Sequence, residues 1–175
     1  MLVRTFGSAV FGIDATTITI EVNIANGVNF MLVGLPDKAV QESHQRIKAA
    51  LKNNNLNYPG KEITVNMAPA DIRKEGSTFD LAIGIGILAA SEQISSGKLE
   101  EYILLGELSL DGTLQLIKGV LPIVMQAKKD GFKGIILPKQ NESEAAIVEG
   151  MDVYGMENMQ EVIDFLNETK VFTPA

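Results

Sequence analysis

The chain contains no cysteine. That excludes disulfides, thiolate metal sites and cysteine nucleophiles, and it agrees with a reducing compartment. Histidine is almost absent: His44 is the only one. A lone imidazole with no thiolate beside it is a poor basis for a zinc site. His44 falls on or beside an apolar helix stripe, so it reads as a packed ring rather than a catalyst. Positive charge is also short. The net charge of −7 opposes nucleic acid at long range. The local basic clusters (Arg46, Lys48 and Lys52; Arg73 and Lys74; Lys128, Lys129 and Lys133) each read as a solvated face. No uninterrupted apolar run reaches the roughly 18 residues a membrane helix needs. Met1 leads into LVRTFGSAVFG without the apolar core of a signal peptide. The expectation is a soluble, cytoplasmic protein. There is no GxxxxGK[ST] phosphate loop, and Gly84-Ile85-Gly86 lacks the third glycine of a dinucleotide fingerprint. It lies inside a helical pattern and reads as close helix packing.

What is present is a core. The chain has 175 residues, 46% of them apolar, enough for one domain without staples. Its organising stretch is ITVNMAPADIRKEGSTFDLAIGIGIL, residues 63–88. Ile63, Val65 and Met67 alternate with Thr64 and Asn66, the period of a strand with one buried face. Pro69 ends the strand. A charged turn follows with Asp71, Arg73, Lys74 and Glu75, and then Ser77 or Thr78 is placed to cap a helix with Asp80 in its first turn. Leu81 to Ala90 is almost wholly apolar, so this helix is expected at the centre. A polar loop feeding a buried helix is either a capping device or an anion or nucleophile site.

Before this stretch, Leu2 to Val10 and Thr17 to Ile24 read as strands, the second with Ile18, Ile20, Val22 and Ile24 on one face. Asn26-Gly27 predicts a hairpin into Val28 to Val33, so the N-terminal part reads as an antiparallel meander. Asp37 is placed to cap a helix carrying Val40, His44, Ile47 and Leu51 on one stripe and ending at Asn53-Asn54-Asn55. Further on, Tyr102 to Leu110 reads as a strand, Asp111-Gly112 as a hairpin turn, and Thr113 to Ile117 as its return. Glu107 is the carboxylate of most interest, on an apolar strand beside Gly106. A helix opening at Gly119, a strand at 134–137, a helix at 142–149, a strand at Val153-Tyr154 and a helix at 158–167 imply a parallel pair with right-handed crossovers. The whole is an α/β mixture, antiparallel in front and parallel behind, with a frayed tail from Lys170.

Three blocks resemble a family. VGLPDKAVQESHQRIKAAL (33–51), the 63–88 stretch and GELSLDGTLQLIKGVLPIVMQA (106–127) resemble the N-terminal, ChlI-type domain of the magnesium-chelatase-like AAA+ proteins of the YifB/ComM type. The resemblance implies a single Lon-like domain over 1–170, with 171–175 leading toward an AAA+ module outside this chain. It implies a parent protein that binds ATP and Mg in that module, and no cofactor in this part. The expected partners are the motor module and neighbouring subunits of a homo-hexamer, with DNA possible for the whole protein and no membrane. ComM-type members act as DNA helicases in branch migration during natural transformation.

The chain is also similar, more distantly, to Lon peptidase domains, which implies a mixed-sheet α/β fold of the ribosomal-protein-S5 second-domain type. In the Lon pattern a serine precedes a helix; Thr78 takes its place here, with Ser77 one step away. The Lon lysine matches Leu121, and leucine cannot accept a proton from a hydroxyl. Lys118 lies three residues early. These degenerate positions imply an inactive peptidase. The expectation is a non-catalytic accessory domain; the alternative is a residual serine or threonine peptidase. In the charged turn, four charges in five residues argue against burial. Its composition reads either as a solvated loop or as Arg73 and Lys74 meeting phosphate or an acidic face, with Asp71 and Glu75 orienting them and Ser77 beside them.

Overall fold

A computed structural model describes all of residues 1–175. Its first sheet grows from the longest alternating run in the chain. β1 (Leu2–Phe11) and β2 (Asp14–Ala25) form an antiparallel hairpin, with Phe11 opposite Asp14. The turn is Gly12-Ile13, with Gly12 at φ +63, where a two-residue loop of the II′ kind takes glycine. β4 (Glu62–Ala68) pairs antiparallel with β2, and β3 (Phe30–Val33) lies outside β4 and parallel to it. The strand order is therefore β1-β2-β4-β3.

This corrects the meander expected from Asn26-Gly27. The chain bends at residues 26–28, but no hairpin forms, and β4 enters between β2 and β3. Burial explains the choice. Ile63, Val65 and Met67 of β4 are fully enclosed beside Ile18, Ile20 and Val22, whereas Met31 and Val33 of β3 stay nearly half exposed. The strand with the stronger apolar alternation takes the interior position, and the weaker one takes the edge.

The expected first helix is divided. α1 (Lys38–Gln41) and α2 (Ser43–Asn53) meet at Glu42. Asp37 caps α1 as expected, its carboxylate accepting from the Val40 N–H at 2.8 Å. Val40, Ile47 and Leu51 are buried, and His44 is half-buried with its ring stacked on Phe30, as the apolar stripe requires.

α3 (Asp80–Ala90) is buried along its whole length. Gly84 faces Ile47 of α2, and Gly86 lies so close to β2 that an added Cβ would stand 2.6 Å from Val22 Cγ2. The glycines thus set helix packing. The cap differs from expectation: neither Ser77 nor Thr78 caps the helix, which starts after Phe79. Main chain takes over that role. The Leu81 N–H donates to Gly106 O at 3.1 Å, and the Gly106 N–H donates to Thr78 O at 3.0 Å. The same two bonds turn the chain out of its strand. The predicted Tyr102–Leu110 strand becomes β5 (Tyr102–Leu104) and β6 (Glu107–Leu108), the latter paired with β7 (Leu114–Gln115) around Asp111-Gly112.

The second sheet is β5-β8-β9, all parallel, with β8 (Gly134–Pro138) in the middle and β9 (Asp152–Met156) at one side. It is buried on both faces, which is why its strands read as unbroken apolar runs. Ile103, Ile135, Leu137 and Val153 pack with Val120, Ile123 and Val124 of α4 (Val120–Lys129). Leu104, Ile136 and Met156 join the main core with Val162 and Ile163 of α6 (Met159–Asn167). The helix expected at 142–149 is one turn, α5 (Glu142–Ala145), after which Ile147 and Val148 bond three residues back as a turn. The tail expected to fray does not. Phe172 packs edge-on to Phe165, and the Ala175 N–H donates to Val153 O at 2.9 Å.

Candidate functional site

Two loops that are distant in sequence are fastened together at the N-terminal end of α3. Lys74 N–H donates to Leu35 O at 2.9 Å, and Asp37 N–H donates to Lys74 O at 2.8 Å. Asp37 completes the join: one carboxylate oxygen caps α1 and the other accepts from Gly76 N–H at 3.0 Å. Gly34 makes the close approach possible. Its φ is +110, and an added Cβ would lie 2.1 Å from Met67 O.

Lys74 itself is the main correction to the sequence reading. It is fully buried, not solvated. Its Nζ donates to Gly34 O at 2.7 Å and to Pro69 O. Burial lowers the proton affinity of the amine, and Asp71 partly offsets this. The argument against burial fails because main-chain carbonyls stand in for counter-charges: the ammonium is desolvated but hydrogen-bonded. The Lys74 ammonium is thus held on two main-chain carbonyls, while Arg73 beside it stays exposed.

Arg73 and Glu75 of the same turn border a cleft of about 400 Å³. Asp37, Arg73, Glu75, Gly76 and Thr78 line one part, Ser8 to Phe11 at the end of β1 another, and Lys118 and Ile123 at the start of α4 a third. Arg73 and Glu75 pair at 3.2 Å, both mostly exposed. Lys118 is exposed, and no hydrogen bond joins it to Thr78. Ser8 Oγ donates to Thr16 O at 3.3 Å, which leaves its lone pairs able to accept. Of the residues singled out from sequence, Arg73, Glu75 and Thr78 come together here. Asp71 and Ser77 do not line the cleft, and neither does Leu121, which is half-buried. Lys118, set aside as misplaced, shares the cleft with Thr78.

Sequence reasoning missed a buried ion pair at the start of α3. Asp80 is fully buried. Arg46 grips it with Nε at 2.6 Å from Oδ2 and Nη2 at 2.9 Å from Oδ1, and the Leu108 N–H adds a bond at 3.0 Å. Nη2 also donates to Ala39 O at 2.8 Å, so the Arg46–Asp80 pair joins α1, α2, α3 and β6. Burial pushes the Asp80 carboxyl up, while Arg46 and the Leu108 amide pull it back down. Arg46 is thus not part of a solvated face. The available signal was a lone carboxylate opening an otherwise apolar helix, which needs a buried donor. Glu107, half-buried, faces this pair through its field on Arg46.

Asp, Glu and His gather nowhere in the threes that would hold a metal ion. No helix is long and apolar enough to cross a membrane.

Residues 20–141 match the family model described as subunit ChlI of Mg-chelatase. The chain is similar to the competence protein ComM of Haemophilus influenzae, with 44% identity over 163 residues, covering 93% of this chain and 32% of that protein. It is 43% identical over 159 residues to the uncharacterized protein YifB of Escherichia coli, covering 90% and 31% respectively. To Lon protease 2 of Bacillus subtilis it is 25% identical over 151 residues, covering 82% and 27%. The mixed α/β architecture agrees with that more distant, Lon-like homology. The chain spans about a third of the length of these curated relatives.

Proposed function

The chain belongs to the ChlI family of magnesium-chelatase-like proteins, and from that premise we propose that it is a non-catalytic accessory domain of an AAA+ ATPase of the ComM/YifB type. ATP and magnesium are then handled by a motor module outside these residues. The want of a phosphate loop in this sequence, and of any group of three metal-ligating side chains, supports that division. In this reading the parent is a cytoplasmic ring-forming protein, and ComM-type action on DNA is the work of the whole assembly.

The observation that carries the proposal is the missing base at Thr78. Its hydroxyl makes no hydrogen bond to an amine or carboxylate. Leu121 is off the cleft, and Lys74, the lysine nearest in sequence, is locked onto two carbonyls. What the cleft has is a charged, exposed rim. Arg73 and Lys118 are its exposed cations, suited to an acidic face of the motor or a neighbouring subunit.

The test is charge reversal at that rim in the full-length protein. Arg73→Glu with Lys118→Glu is expected to lower ATP turnover while leaving the melting temperature of this domain within a few degrees. Unchanged turnover would remove the cleft from the proposal. One observation favours a second reading: Lys118 and Thr78 share a cleft, so a residual threonine peptidase would have both groups it needs within one cavity.

A further inference from the structure

A second cavity, of about 290 Å³, lies between β3, α2 and the loop after α2. Three rings line it. Phe30 and His44 stack with centroids 3.9 Å apart and planes 4° from parallel, and Tyr58 stands 5.5 Å from His44 at 35°. His44 Nε2 and the Tyr58 hydroxyl are hydrogen-bonded, which fixes both rings. None of the three is fully buried. The charged residues of the cavity are Lys48 and Lys61, and no carboxylate lines it. Lys48 Nζ lies 5.3 Å from the Tyr58 ring centroid, and neither lysine forms an ion pair. In a chain of net charge −7 this is a locally cationic site with flat, apolar walls.

Packing accounts for the rings, and Lys48 lies over the Tyr58 face, which leaves Lys61 as the cation without a partner. Aromatic faces favour another π-face laid against them, and unpaired ammonium groups favour an anion. One ligand class carries both, a planar base joined to a phosphate. We propose that this cavity binds a nucleotide unit, with the base against the Phe30, His44 and Tyr58 walls and the phosphate held by Lys48 and Lys61. The unit is either a free nucleotide or one residue of a single strand; sequence-tolerant stacking with backbone neutralisation suits both. The site is separate from the charged cleft and does not rest on the role proposed for that cleft.

The test titrates the 175-residue chain with dTMP, with a short fluorescein-labelled oligothymidylate, and with an abasic oligomer of the same length. Binding of the oligothymidylate is expected to exceed that of the abasic strand about tenfold. Lys48→Gln with Lys61→Gln is expected to weaken the binding of either nucleotide probe by about tenfold at low salt, with an unchanged melting curve. Phe30→Leu provides a second variant that leaves the lysines in place and is expected to reduce the preference over the abasic strand. Saturation by dTMP with no gain for the oligomer identifies a free nucleotide as the ligand. Tighter, salt-sensitive binding of the oligomer identifies single-stranded nucleic acid. The proposal is overturned if neither probe binds, if the lysine pair is dispensable, or if the abasic strand binds equally well.

Discussion

Lys74 holds an ammonium where no water reaches it, and two carbonyl oxygens, on Gly34 and Pro69, depend on it. Lys74→Met keeps the apolar stem but leaves both acceptors unpaired, a loss of about 1–3 kcal/mol. For a chain of this size that lowers the melting temperature by roughly 2–10 °C. Arg73→Ala, one residue away and mostly exposed, is expected to change stability by less than about 0.5 kcal/mol. Differential scanning calorimetry of the two variants reads the contrast directly; equal melting temperatures would return Lys74 to the surface. Sequence could not separate these two neighbours. Burial of a lysine depends on where distant carbonyls lie, and the Gly34 carbonyl arrives from another loop. His44 makes a separate prediction. Burial, followed by the field of Lys48, lowers its proton affinity. The unfolded chain therefore binds a proton more readily than the folded one. The stability this gives is present above the unfolded value of about 6.5 and is lost as pH falls below it. Thermal melts from pH about 7.5 to about 5.5 should show a decline that His44→Gln reduces. As the sole histidine, it is the natural source of that difference.

At the level of elements, α3 was the most legible part of the chain. Ten apolar or small residues in a row after Asp80 left little but a central helix, and the two glycines read correctly as packing sites. They are not equivalent. An added methyl at Gly84 meets nothing closer than 3.6 Å, so Gly84→Ala is expected to be neutral or stabilising by up to about 1 kcal/mol. The methyl of Gly86→Ala would press on Val22, and the overpacking is expected to cost about 1–3 kcal/mol. Urea denaturation of both variants distinguishes them; a stable Gly86→Ala protein would mean that the helix and β2 are less closely packed than described. The edges of elements were less legible, for one recurring reason. Helix α3 is capped by Gly106 main chain, not by Ser77 or Thr78, and β3 is displaced by β4 despite the Asn26-Gly27 signal. Local signals named the turns, but competition for the buried sheet position was decided by residues a long way along the chain.

The whole molecule joins a mixed four-stranded sheet to a parallel three-stranded one, and the charged cleft lies between the end of β1, the 73–78 turn and the start of α4. The sequence disclosed that α/β mixture, the family and the charged turn. It did not disclose the Arg46–Asp80 pair, since their partnership is built across four elements. The central claim is that this cleft binds without catalysing. The most direct test is turnover of casein and labelled peptides by the purified chain, run beside Thr78→Ala and Lys118→Ala. The account predicts background hydrolysis in all three. Turnover by the unmodified chain that either substitution abolishes would contradict it and establish the threonine peptidase instead.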